Sequence, residues 1–470
     1  MHHRLPPLSL ALALLGGCSA ADEPALTWYA DAEPIVAAKC ATCHQQGDIA
    51  PFPLTTWGEV EPMLSLVEYS VRSGSMPPWQ PSDDCNEYQG DFSLTADEEA
   101  TLLAWLEDGA PAGDPSERPA PTETAPPWEA DLTLTLPEPY EPSVAPDDYR
   151  CQILEWPLDE EGFVTGVRVV PDQRQMVHHT ILFAVSAEQA DVYRQYDAED
   201  DGPGYSCFGG PRPTSAEGGL PEGVDIAELL AALQSGEASG GAGMNGSRWI
   251  GSWVPGTTAP LFPEGTGLRM GPGDLVIAQF HYNTLVADAA ADQSSIEFAT
   301  APTVEREAFV LPFTDVGWVT GLPGLGGPMD IPADMEHVEH HTSSADSALL
   351  VNGARNALGL DEESDLLVHV VGHHMHQLGT WGKQAVRHAD GTESCLVEIP
   401  DWDFSWQGSY HLQEPVLLGA DDALELGCAW DNSASNQQVI DGVPLVPTDV
   451  EWGEGTTDEM CLATLYVTAP

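Results

Sequence analysis

Two groups of histidine and methionine stand out in the chain because their types and spacing suit a metal ion. The first is Met176-Val177-His178-His179-Thr180, joined by His281 in Ile277-Ala278-Gln279-Phe280-His281-Tyr282. The second is His374-Met375-His376-Gln377-Leu378-Gly379, joined by Met460 in Asp458-Glu459-Met460-Cys461. One set is all imidazole. The other adds a thioether, a soft donor that favours Cu(I). An all-nitrogen set beside a nitrogen-and-sulfur set is a donor chemistry for copper cycling between redox states. A third motif, Cys40-Ala41-Thr42-Cys43-His44, has the C-x-x-C-H spacing of covalent c-type haem attachment. Both thiols add to the haem and His44 faces the iron. Met76, in Ser75-Met76-Pro77-Pro78-Trp79, is the candidate second axial ligand, and methionine raises the reduction potential. A zinc knuckle or a redox C-x-x-C is the competing use of these cysteines. The next histidine after His44 is His178, so no Cys/His quartet supports zinc.

These residues need elements that aim them. Alternate residues of a strand share a face, so His374 and His376 can meet one ion. Adjacent His178 and His179 point to opposite faces of a regular strand, so joint ligation requires a bulge or a strand end. In isolation Met460 reads as an apolar core filler. His337, His340, His341, His369, His373, His388 and His411 read as surface or supporting groups, with His369 and His373 the nearest to rival ligands.

The texture of the chain changes along its length. Residues 27–113 read as a small all-α unit. Pro34 to Lys39 leads into the C-x-x-C-H, and Thr95-Ala96-Asp97-Glu98 is a capping box opening a helix through Leu106, which Gly109 ends. A Pro/Glu/Thr-rich linker covers 114–127. Beyond it, short β-branched and aromatic runs alternate with Gly, Pro, Asp and Asn clusters, the pattern of antiparallel sandwiches. Examples are Thr180 to Val185, Leu275 to Phe280 and Leu462 to Val467. Glu222 to Gln234 reads as a helix and Gly236 to Gly246 as an insertion. A seam near 305 divides this part into 128–305 and 306–470.

The net charge of −60, from 75 acidic and 15 basic residues, excludes nucleic acid as a partner, because no basic stripe exists to neutralise phosphates. Acidity does not mean disorder here, since 14 Trp and 42% hydrophobic residues supply cores. Residues 1–17 read as a signal peptide. Arg4 precedes the apolar run Leu5 to Leu15, and Leu15-Gly16-Gly17-Cys18 resembles a lipobox. Cleavage before Cys18 and lipidation of its thiol would anchor the chain in a bacterial cell envelope, facing the periplasm or exterior. An ordinary cleaved signal is the alternative. Of nine cysteines, Cys18 goes to lipid and Cys40 and Cys43 to haem. The even remainder of an exported chain suggests disulfides, whose pairing the count leaves open.

Several of these segments, in order, resemble the copper type II, ascorbate-dependent monooxygenase family, which includes peptidylglycine α-hydroxylating and dopamine β-monooxygenases. They are Asp147-Asp148-Tyr149-Arg150-Cys151, Val177 to Phe183, Leu261-Phe262-Pro263-Glu264-Gly265-Thr266-Gly267 with Gln279 to Tyr282, His374-x-His376-x-Leu378-Gly379 and Asp458 to Cys461. The likeness runs from about residue 130 to the end, while Cys40 to Met76 is similar to cytochrome c domains. The resemblance implies a mainly β protein, with two jelly-roll-like antiparallel sandwiches after a small all-α cytochrome c-like domain. It implies two copper ions. His178, His179 and His281 would hold the electron-transfer copper, and His374, His376 and Met460 the copper that binds dioxygen. One oxygen atom would enter a small organic substrate at a C–H bond and the other leave as water. Electrons would come through the haem, from an external reductant such as ascorbate or from an electron-donor protein. The resemblance also implies disulfides Cys151–Cys207 and Cys428–Cys461, leaving Cys85 and Cys395 unassigned. Paired with each other, these two would clamp the haem domain to the second β-domain. Peptide-amidating members carry an arginine two positions before the first histidine of the His-x-His pair and an asparagine two positions after the methionine ligand. Here those positions are Gly372 and Leu462, which argues against peptidylglycine amidation and leaves a less polar substrate open. The same ligands in a non-catalytic copper and haem electron-transfer protein are the competing reading.

Overall fold

The computed structural model describes residues 25–120, 129–207, 210–213, 247–255, 257, 261–284, 287–321, 327–440, 443–453 and 457–470. Cys18, the end of the linker, the helix expected over Glu222 to Gln234 and the insertion from Gly236 to Gly246 lie outside the described residues. The chain is mainly β, in several largely antiparallel sheets.

The N-terminal stretch carries a helical turn Trp28–Ala32 and helices Glu33–Lys39, Leu64–Arg72 and Ala96–Glu107. Thr95 Oγ1 accepts from the Glu98 backbone N–H, and the Glu98 carboxylate accepts from the Thr95 N–H. That reciprocal cap contributes about 1 kcal/mol. Gly109 takes φ +85°, which closes the last helix without Cβ strain. Trp28, Val36, Leu102 and Trp105 pack a small core. The stretch is not purely helical. Tyr88–Gln89 forms a short strand on the edge strand Ser409–Leu418 of the largest sheet. Among the described residues no helix is long and apolar enough to cross a membrane.

That sheet has nine strands. Their order is Tyr88–Gln89, Ser409–Leu418, Leu366–His374, Leu462–Thr468, Arg306–Phe313, Thr266–Met270, Gly162–Val170, Ser295–Ala301 and Leu132–Thr135. It runs across residue 305 through a parallel pairing of Arg306–Phe313 with Thr266–Met270. A five-stranded sheet, Tyr205–Ser206, Asp147–Glu155, Leu275–Asn283, Val177–Val185 and Ser247–Trp253, shares one core with the first-half strands of the large sheet. A four-stranded sheet, Val338–Ser343, Ala423–Trp430, Gly379–Arg387 and Glu393–Ile399, shares another with the second-half strands. Leu275–Asn283 is central in its sheet and covered on both faces. It is accordingly buried without alternation from Leu275 to Tyr282, a run that is apolar except at Gln279 and His281.

Three disulfides form: Cys151–Cys207, Cys428–Cys461 and Cys85–Cys395. The last joins positions 310 residues apart and ties the segment between helices Leu64–Arg72 and Ala96–Glu107 to strand Glu393–Ile399. Cys40 and Cys43 remain as thiols.

Candidate metal centres

Strand Val177–Val185 solves the adjacent-histidine problem with a bulge. Val177 pairs with Tyr282 and His179 with His281, so the register slips by one residue and His178 is the extra one. The bulge turns both rings toward His281. Met176, at the head of the motif, goes into the core instead. The Nδ1 atom of His179 lies 3.3 Å from Nδ1 of His178 and 3.3 Å from Nδ1 of His281. The ligand nitrogens of all three rings lie within 4.8 Å of one another.

The surroundings decide what these nitrogens present. His281 Nε2 donates to Asp147 Oδ1 at 2.8 Å, and Asn283 donates to the same oxygen. The proton of His281 is thereby committed to Nε2, and Nδ1 turns a lone pair inward. Tyr149 stacks on the His281 ring at 4.2 Å and holds its plane. Burial acts to raise the Asp147 carboxyl, but hydrogen bonds from His281 and Asn283 outweigh it and hold it below the usual range. Burial, then His281, pushes His178 down to about 4. Burial, then His281, His178 and His374, keeps His179 well below an ordinary histidine. These two rings are neutral at pH 7. A single proton on His179 Nδ1 cannot serve two neighbouring nitrogens, whereas one cation serves all three. Nitrogens at about 2.0 Å from an ion in tetrahedral array stand about 3.3 Å apart, the spacing that His179 Nδ1 keeps to each of the other two.

The second set sits where two strands end side by side. His374 closes Leu366–His374 and pairs with Leu462. Carried on, the same antiparallel register sets position 376 opposite position 460. His374 Nδ1 donates to Gln407 Oε1 at 2.5 Å, and His376 Nδ1 donates to the Asp458 carbonyl at 2.9 Å. With Nδ1–H so committed, Nε2 carries the lone pair that each ring offers a metal. The ring centroids stand 5.1 Å apart. Met460 is buried beside them in sequence register, a soft donor withdrawn from water. Ser252 meets Ser409 at 3.4 Å where strands Ser247–Trp253 and Ser409–Leu418 approach.

Glu459 was not legible as a site residue among 75 acidic ones. It is fully buried between the two ligand segments. Its carboxylate accepts from His376 N at 2.8 Å, Leu378 N at 2.6 Å and Trp430 Nε1 at 2.9 Å. Burial pushes its carboxyl up to about 7, against those N–H donors, which act to lower it. A Glu459→Gln variant turns an amide N–H₂ toward backbone or indole N–H groups. The metal-free variant is therefore expected to lose about 2 kcal/mol in chemical denaturation, with the fold retained.

His373 and His369 meet partners outside the two sets. Strand alternation turns His373 away from His374, against Gln384, Trp402 and the Cys428 sulfur at 3.4 Å. A Cβ at Gly382 would fall 2.0 Å from its Nε2, so glycine is required there. His369 meets Thr468 at 2.9 Å. His337 and His341 bracket Glu339, His340 meets the Asp330 carbonyl, and His388 bridges Asp422 and Ser394.

In the N-terminal stretch, helix Glu33–Lys39 delivers Cys40, and the backbone N–H groups of Cys43 and His44 both bond to its carbonyl. His44 Nδ1 donates to the Phe52 carbonyl at 2.9 Å, which leaves the lone pair on Nε2. Burial, then Cys43, pushes the Cys40 thiol up to about 11. Cys40, Phe52, Met63, Leu64 and Val67 are only partly buried on the small core. Met76 follows the Leu64–Arg72 helix, half-buried, on a cis peptide to Pro77. Met63, which the sequence did not single out, packs in the cluster that holds Cys40. Four residues beyond His44, Asp48 pairs with Arg174 at 2.9 Å, four residues before His178. A cleft of about 430 Å³ opens there, lined by Gly47, Asp172, Gln173, Arg174, Met176 and Asp288.

No family model and no curated protein matches the chain. Among solved structures it is similar to one described as "Structure of PNGF-II in P21 space group", at 9% identity and a TM-score of 0.23, over 72% of this chain and 65% of that one. The likeness spans less than two thirds of that protein and is too low to carry an argument.

Proposed function

We propose that this protein is a copper-dependent monooxygenase that hydroxylates a C–H bond of a small organic substrate, with electrons supplied through its own c-type haem. The observation that carries the reading is His179 Nδ1 standing 3.3 Å from the Nδ1 atoms of both His178 and His281, with His281 locked to Asp147, in a chain that also holds a His-x-His pair and a buried methionine. The nitrogen set alone suits several metals. The thioether of Met460 selects copper, because it favours Cu(I). His374, His376 and Met460 would hold a copper whose chemistry is dioxygen activation, His178, His179 and His281 would hold an electron-transfer copper, and Cys40, Cys43, His44 and Met76 would hold the haem that supplies electrons.

The residues themselves do four things. Asp147, Gln407 and the Asp458 carbonyl fix which nitrogen each ring presents. The bulge at His178 brings adjacent side chains to one face. Glu459 holds the His376 loop to the Met460 segment. The Asp48–Arg174 pair brings the haem motif to the approach of His178. Gly372 also shapes substrate choice. A Cβ there would lie 2.5 Å from Thr464 Oγ1, so the strand has no room for an arginine that would hold a substrate carboxylate. This disfavours peptide amidation and favours a less polar substrate. The proposal includes two jelly-roll-like sandwiches over 128–305 and 306–470, a cytochrome c-like domain over 27–113, and a lipid anchor at Cys18 in a bacterial envelope. Dioxygen, the substrate, and ascorbate or an electron-donor protein are the partners.

The test is anaerobic. Protein reduced at the haem and carrying oxidised copper is expected to lose its reduced haem spectrum at a rate independent of protein concentration, since a covalently linked donor acts at about millimolar effective concentration. Copper-free protein should keep that spectrum. Equal loss with and without copper would remove the haem from the pathway.

A further inference from the structure

The N-terminal stretch does more than carry the C-x-x-C-H motif. It reaches into the scaffold of the second metal set through one side chain, Gln80. The turn Asp403–Gln407 lies between the two histidines of that set. At one end Trp402 Nε1 donates to the His376 carbonyl at 3.1 Å, and at the other Gln407 Oε1 accepts from His374 Nδ1. Phe404 presents its ring at right angles to His376. The conformation of this turn therefore sets which nitrogen of His374 carries its proton and where the ring points.

Gln80 closes the turn. Its Nε2 donates to the Asp403 carbonyl at 3.0 Å and to the Trp406 carbonyl at 2.6 Å, and its Oε1 accepts from the Asp403 N–H at 3.0 Å. One amide thus satisfies three backbone groups at both ends of the turn, 323 and 326 residues away in sequence. Gln80 is itself anchored. Trp79 packs edge-on against Tyr410, Ser82 N donates to the Glu398 carbonyl at 2.8 Å, and the Cys85–Cys395 disulfide follows.

We infer that Gln80 is a positioning residue for the His374 metal set: it locks the 403–407 turn, which in turn holds His374 in the Nδ1–H form with Nε2 aimed at the metal. The haem-bearing stretch is then a structural part of the second centre. The inference rests on His374 being a metal ligand, so the test has one arm that needs no metal.

In metal-free full-length protein with ¹⁵N-labelled histidine, wild type should show His374 as the Nδ1–H tautomer. Gln80→Met keeps the length and removes all three hydrogen bonds, and should give mixed tautomers at His374 with His376 unchanged. Gln80→Glu keeps the acceptor for Asp403 N–H but sets a carboxylate oxygen against two carbonyls, and should shift His374 at least as far. In a His281→Ala background, competition for Cu(I) with a chromophoric chelator should show about tenfold weaker binding for Gln80→Met, the scale of losing an outer partner of a metal ligand. If wild type takes up no Cu(I) there, the metal reading fails and the tautomer arm alone decides the role of Gln80. A wild-type His374 tautomer in both variants would overturn the inference, as would wild-type Cu(I) affinity in Gln80→Met.

Discussion

His374→Ala is expected to abolish dioxygen-dependent oxidation in a single turnover, while His281→Ala keeps the dioxygen set and is expected to impair electron delivery to it. Both variants lose one of three ligands from one set, so the contrast tests role rather than metal loss. The all-imidazole set has His179 Nδ1 at 3.3 Å from the Nδ1 atoms of His178 and His281, and His281 tied to Asp147, a held site suited to passing an electron. The other set offers two Nε2 lone pairs and a thioether, the softer donors suited to the reduced state that meets dioxygen. Loss of His374 should exceed the roughly 10–100-fold cost of removing an outer partner. Each variant is reduced chemically under anaerobic conditions and then mixed with dioxygen, and product is counted per chain. Product from His374→Ala at the wild-type single-turnover yield would reverse the assignment.

Met460→His is the second large effect. Imidazole still binds copper, so metal content should stay near wild type. The soft donor is gone, so Cu(I) is no longer favoured and turnover should fall by about an order of magnitude or more. Met460 is almost fully buried, and Glu459 beside it is fixed by backbone N–H donors, so the new ring enters a held frame. The copper EPR spectrum should gain nitrogen coupling while the oxidation rate drops. Unchanged oxygen consumption would remove the thioether from the mechanism.

The ligands were legible in the sequence because their chemistry is rare: few side chains are imidazole or thioether, and their spacing relates directly to strand geometry. The His178–His179 pair carried its own requirement, a bulge, and the register slip supplies it at that position. The partners that tune the ligands were not legible. Asp147, Gln407 and Glu459 are ordinary polar residues in a very acidic chain, and only the fold brings them within hydrogen-bond distance of the rings. Gly382 reads as a weak strand residue until His373 is seen filling the space a Cβ would take. The β-rich character was readable from alternating runs, but the continuity of the large sheet across residue 305 was not. It depends on a short parallel pairing between Arg306–Phe313 and Thr266–Met270, which no local pattern announces. The helical N-terminal stretch was readable from the Thr95 cap and the Gly109 stop. Its strand Tyr88–Gln89 is two residues long, below what periodicity can signal. Cys85 and Cys395 were the two cysteines left once the resemblance had implied the other pairs, and the structure joins them.

The most direct measurement is the metal and haem content of exported, haem-matured protein, by elemental analysis and absorption spectroscopy of one sample. The account expects copper at two per chain, lowered by one in either His281→Ala or His374→Ala, with a covalent c-type haem band that survives acid extraction. Zinc in place of copper, copper unaffected by both substitutions, or no haem that remains covalently attached would contradict it.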